Sequence, residues 1–228
     1  RMFKKVRGCA FNGALMSIRE YWRICRQSKN FQHLRTEAVW ESWYQLLTPR
    51  NVLSVAAYAV IYYAFFKFNL LIFDQFAYSY GVHWIFIPSG IQLVLVLSAM
   101  ESAAIGIVIA SWFMGYESFF TGSLLFTFVT GWIAGLSPLI ARKIALDFLH
   151  IEEDLGNLTF KGIVQTSIIF ALISATLHQL WYYYTEVSDM FVENFFVMAV
   201  GNLLGTLIVL TLIKLMLKIL KLKDSSNA

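Results

Sequence analysis

Residues 84–101 read Trp84-Ile85-Phe86-Ile87-Pro88-Ser89-Gly90-Ile91-Gln92-Leu93-Val94-Leu95-Val96-Leu97-Ser98-Ala99-Met100-Glu101. The run is apolar over a membrane length, broken near its start by Pro-Ser-Gly and closed by a carboxylate. A soluble core helix rarely carries such a run, and a plain membrane anchor needs no break. Backbone groups freed at Pro88 and Gly90 require polar partners, and lipid offers none. The segment is therefore expected to line a protein-walled or wet cavity; the alternative is a Pro-kinked helix satisfied by its neighbours. Ser89 can cap a helix beginning at Gly90, or Pro88 can occupy its first turn. From Ser89 to Met100 such a helix spans about 18 Å, only part of a ~30 Å hydrocarbon core. Trp84–Ile87 are thus expected to be extended or re-entrant.

The rest of the chain fits a membrane setting. Of its 228 residues, 58% are hydrophobic and 14% charged, with a mean hydropathy of +0.63. Globular domains carry roughly 25% charge. The fold class expected is all-α: a polytopic transmembrane bundle of about six spans preceded by amphipathic helices. The spans are Asn51–Leu70, Val82–Met100, Ser102–Gly115, Phe119–Ala141, Gly162–Tyr184 and Asn194–Ile213, the last continuing toward Lys223. Three regions follow: residues 1–50, the spans over 51–213, and a Lys-rich tail over 214–228. No apolar core with a small-residue cleavage site marks a removable signal peptide. Cys9 and Cys25 have no metal-type spacing, and their basic surroundings argue against a disulfide framework.

Charge sets the expected orientation. Residues 1–50 hold ten Lys/Arg against three Glu, whereas residues 51–228 hold eight basic against eleven acidic side chains. Arg19, Trp22, Arg23 and Arg26 lie on one helical stretch, and Trp40 and Trp43 on a second. Both read as amphipathic helices contacting anionic lipid or a partner protein. With this region cytoplasmic, Arg142, Lys143, Lys161 and the tail lysines fall on the same side, and Asp74, Glu117, Glu186, Asp189 and Glu193 fall opposite. Both termini are then cytoplasmic, and the location expected is a bacterial inner membrane. Nucleic acid is a poor second to lipid headgroups as a partner of the basic region.

Within the spans, the turn Met100-Glu101-Ser102 makes the second and third antiparallel neighbours. Gly106, Ala110, Ser111 and Gly115 give the third a small-residue face, and Gly201 and Gly205 give the last a GxxxG face. Asn202 beside it requires a protein or pocket partner. Trp84, Pro88, Ser89, Gly90, Gln92, Trp112 and Asn202 are the candidate ligand-binding residues. His83 and His178, both expected in the outer leaflet, are weak candidates for a haem or metal, since their spacing has no metal signature. The sequence identifies no cofactor. It has no HExxH, phosphate-binding glycine loop, GxGxxG or recognisable Ser-His-Asp arrangement, so no enzyme activity is expected.

The stretch His83-Trp84-Ile85-Phe86-Ile87-Pro88-Ser89-Gly90-Ile91, together with Gly201-Asn202-Leu203-Leu204-Gly205-Thr206-Leu207-Ile208-Val209, resembles the bacterial membrane-associated sensor domain, MASE. That family carries a Trp-Pro-Pro-Ser-Gly-Ile-like motif and, later, a Gly-Asp-x-x-Gly-x-Leu-x-Val segment. The matches cover about 30 residues. The resemblance implies an integral membrane sensory module that binds a small ligand. Asn202 stands where an acid is usual, six spans replace about eight, and no output domain follows, so a signal would pass to another protein. A homo-oligomer is compatible with the sequence. The alternatives are a substrate-binding or accessory subunit of a transporter, suggested by six spans in ~200 residues as in energy-coupling-factor vitamin transporters, and a structural subunit of a larger membrane assembly.

Overall fold

The computed structural model describes residues 48–118, 123–152, 157 and 159–226. Arg19, Trp22, Arg23, Arg26, Trp40 and Trp43 lie outside the described residues. The described chain runs α1 (Pro49–Phe73), a short 3₁₀ turn (Asp74–Phe76), β1 (Ala77–Ser79), β2 (Val82–His83), α2 (Ile87–Ser118), α3 (Leu124–Phe148), α4 (Phe160–Tyr184) and α5 (Phe191–Ser226). Five helices are long and apolar enough to cross a membrane. Large apolar side chains such as Leu71, Leu124, Phe148 and Tyr184 are exposed on their outer faces. The chain is therefore a multi-pass membrane protein whose surface contacts lipid.

α2 is two limbs rather than one rod. At its N-terminal end, the Ile87 N–H donates to Asn69 Oδ1 at 2.9 Å. At its C-terminal end, Glu117 pairs with Lys67 at 2.9 Å. Lys67 and Asn69 are two residues apart on α1, yet a straight helix over Ile87–Ser118 would separate its ends by about 48 Å. The reversal falls at Met100, with φ 45° and ψ −118°. That conformation matches the first central position of a type II′ turn. Val96 before it packs with Ala103, Ala104 and Ile107 after it. The expected tight turn at Met100-Glu101-Ser102 is thus present, and with its two limbs the five helices give six antiparallel segments.

Two boundaries differ from expectation. The second span was expected from Val82, but its helix begins at Ile87, because Val82 and His83 pair with β1 across a turn at Gly81. Gly81 has φ 66°, a conformation glycine adopts without steric cost. The fourth span was expected to end at Ala141 with Arg142 in a loop. Instead α3 continues to Phe148, and Arg142 is buried within it. Ala141, Ile144, Ala145 and Phe148 extend the apolar face, so the Arg142-Lys143 pair does not end the helix.

α5 closes the bundle by an unusual contact. A Cβ on Gly201 would collide with the His83 carbonyl, and one on Gly205 with the Phe86 carbonyl. The GxxxG face therefore packs on the extended backbone ahead of α2, not on another helix. Phe86 N–H donates to the Gly201 carbonyl at 3.2 Å. One turn further, Gly90 meets Val209, which joins Ile87 and Ile91 in a small apolar cluster.

Candidate functional site

The Pro-Ser-Gly break is built from these contacts. Asn69, fully buried on α1, accepts from the Ile87 N–H. Ser89 Oγ lies 2.7 Å from both the Phe86 and the Asn202 carbonyl oxygens, and 3.4 Å from Thr206 Oγ1. The freed polar groups are thus taken by protein. Trp84 is 44% exposed and sets its ring edge-on to Tyr78. Trp112 donates from Nε1 to the Phe128 carbonyl at 3.0 Å and stacks on the Phe128 ring, beside a shallow apolar groove with Tyr116, Leu124 and Leu125. Among the seven candidate ligand-binding residues, Gln92 and Asn202 face the cavity described next; Trp84, Pro88, Ser89, Gly90 and Trp112 do not.

That cavity, of about 100 Å³, lies inside the bundle. Both limbs of α2 reach it, through Gln92 and Ser111. α3 contributes Thr130 and Ala134, α4 contributes Ser174, His178 and Tyr182, and α5 contributes Met198 and Asn202. Tyr80, Gly81 and His83 of the β-hairpin bound it at the end where α4 finishes. Gln92 Nε2 donates to the Tyr62 hydroxyl at 2.9 Å and reaches the Ala134 carbonyl at 3.5 Å. The Ser111 hydroxyl sits beside the same tyrosine. His178 Nδ1 is 2.8 Å from the Ser174 carbonyl. A carbonyl only accepts, so this nitrogen carries the proton and Nε2 is left as an acceptor.

Among the described residues of the wall, the buried His83 Nδ1, Ser111 Oγ and Thr130 Oγ1 form no hydrogen bond to protein. His83 is 7% exposed and stacks on Phe86. Burial lowers its affinity for a proton below that of a free imidazole, while the carboxylate of Asp74 acts in the opposite, weaker sense. The imidazole is therefore neutral near pH 7. Burial likewise raises the Tyr80 phenol above its ordinary value, so it too is uncharged. Of the described residues lining the cavity, none is Asp, Glu, Lys or Arg.

His83 and His178, singled out as weak haem or metal candidates, share this wall. Among the described residues, no group of three or more His, Cys, Asp or Glu is placed to hold a metal ion. Sequence reasoning missed Tyr62, Thr130 and Ser174. The signal for Ser174 was its place with His178 and Tyr182 at i, i+4 and i+8, which puts all three on one face of an otherwise apolar helix. Comparison with protein-family models, with curated proteins and with solved structures finds no match to this chain.

Proposed function

We propose that the chain is an integral membrane ligand-binding module of the sensory kind, acting on a partner protein from a bacterial inner membrane. The observation that carries this reading is the partly open cavity between the helices, with convergent neutral polar groups. Such sites, apolar with a few placed hydrogen-bonding groups, are where small molecules bind. The packing of the Gly201–Gly205 face on the segment ahead of α2, with the Asn202 carbonyl held by Ser89 of α2, gives a route for the signal. A ligand favouring one arrangement of α2 against α5 shifts the population toward it. α5 runs to Ser226, beyond its membrane-length stretch at Phe191–Met216, and would carry that shift to a partner. The resemblance to MASE domains accords with this reading, and both termini are assigned to the cytoplasm by charge.

The test is thermal melting of the purified chain against millimolar glycerol, urea, imidazole, phenol, cyclohexanol, acetate and benzoate. At least one uncharged compound should raise Tm, and Asn202→Leu and Ala134→Leu should remove the effect. A panel with no active member, or a shift that survives both substitutions, would refute ligand binding in this cavity.

A further inference from the structure

Resting on that reading, we propose that the cavity takes an uncharged single-ring aromatic alcohol, a molecule of the phenol class. Three features of the wall define the class. The first is charge. With no ionic side chain among the described residues of the wall, a charged ligand would lose its hydration without a counter-ion, a cost that a neutral wall does not offset. The second is shape. Tyr62, Phe66, Phe86, Phe126 and Tyr182 surround the space with rings. Aromatic rings favour edge-to-face or offset contact with another ring. At about 100 Å³ the cavity is smaller than the apolar cavity of about 150 Å³ that holds benzene, so its size limits the occupant to a single ring at most, admitted with small shifts of the surrounding side chains.

The third feature is hydrogen bonding. Thr130 Oγ1 and His83 Nδ1 are buried without protein partners, and an unmet buried polar group is unfavourable. Thr130 can donate, and His178 Nε2 can accept, because its Nδ1 is committed to the Ser174 carbonyl. A hydroxyl group on the ring can accept from Thr130 and donate to an unprotonated imidazole nitrogen of the wall, that of His178 or of His83. A ring without a hydroxyl leaves these atoms unmet, and an aliphatic alcohol of similar size forgoes the contacts between rings. Benzoate and related carboxylates fail on charge.

The experiment uses the full chain in lipid nanodiscs, with protein-free nanodiscs as the baseline for partitioning, and ¹⁹F NMR of 4-fluorophenol, 4-fluorotoluene and 4-fluorobenzoate. Expected is saturable 4-fluorophenol binding displaced by phenol, with cyclohexanol, 4-fluorotoluene and 4-fluorobenzoate at least about tenfold weaker. Thr130→Val should weaken binding about tenfold, Thr130→Ser should retain it, and Ala134→Leu should abolish it. Melting and gel filtration show whether each variant is folded. Comparable binding of the toluene, the benzoate or cyclohexanol overturns the assignment, as does binding unaffected by Ala134→Leu. If 4-fluorophenol does not bind while another uncharged compound gives a shift that Ala134→Leu removes, the phenol class fails and ligand binding stands. If no compound acts, both fail.

Discussion

At the scale of single residues, the chain solves one problem several times: a backbone group freed inside lipid must find a protein partner. Asn69 is the clearest case, with its Oδ1 holding the Ile87 N–H ahead of Pro88. Asn69→Leu removes that acceptor at a fully buried position and should cost about 1–3 kcal/mol. Asn69→Asp keeps an acceptor oxygen and should cost less if its carboxyl stays protonated; chemical denaturation of both variants measures the difference. His83 poses a related test through pH. Its folded-state affinity for protons is depressed, so the unfolded chain binds a proton more readily. The contribution of a neutral His83 is complete above its unfolded value near 6.5 and is lost as pH falls through that value toward the lower folded one. Tm should therefore fall between pH 7.5 and 5.5, and His83→Gln should reduce the fall. An equal fall in both proteins would show that His83 does not set it.

At the scale of elements, the reversal in α2 was legible and its junction conformation was not. A short polar turn between two apolar runs is visible as Met100-Glu101-Ser102, but Met100 is not the residue a positive φ usually selects. Met100→Gly should stabilise the protein by about 0.5–1 kcal/mol, since glycine adopts that conformation without a Cβ clash. Met100→Val should destabilise it, a β-branched side chain at positive φ being strained; Tm in detergent reads both. The glycines of α5 teach a related lesson. Their four-residue spacing announced close packing without naming the partner. The partner is an extended backbone, because His83–Phe86 lies where a helix would otherwise start. A methyl group at Gly205 meets the Phe86 carbonyl. Gly205→Ala should cost about 1–3 kcal/mol by overpacking and lower Tm accordingly, whereas Leu204→Ala on the exposed neighbouring position should change little.

At the scale of the whole molecule, helical class and membrane setting could be read from composition and run length, because lipid leaves the backbone few alternatives. The cavity could not, because its wall draws residues from all five helices and the β-hairpin, and no single segment carries its pattern. Gln92 and Asn202 were visible as polar residues in apolar runs, whereas Thr130 and Tyr62 gained meaning only once the helices were assembled. The arrangement itself makes a prediction about sides. Glu117 pairs with Lys67 near the C-terminal end of α1, while Lys214 of α5 lies over the Phe160 ring at the start of α4. Glu101, at the reversal, belongs to the end opposite Glu117, since the second limb of α2 separates them by about 24 Å of helix. With Cys9→Ser and Cys25→Ser as background, Glu101→Cys and Lys214→Cys should react with a membrane-impermeant maleimide from one side of sealed vesicles. Asp74→Cys and Glu186→Cys should react from the other. Inverted vesicles should exchange the two sets, and from the excess of Lys and Arg the first set is expected to be the cytoplasmic one. Labelling of Glu101→Cys together with Asp74→Cys from a single side would mean that the first limb of α2 does not cross, and would overturn the arrangement of six spanning segments.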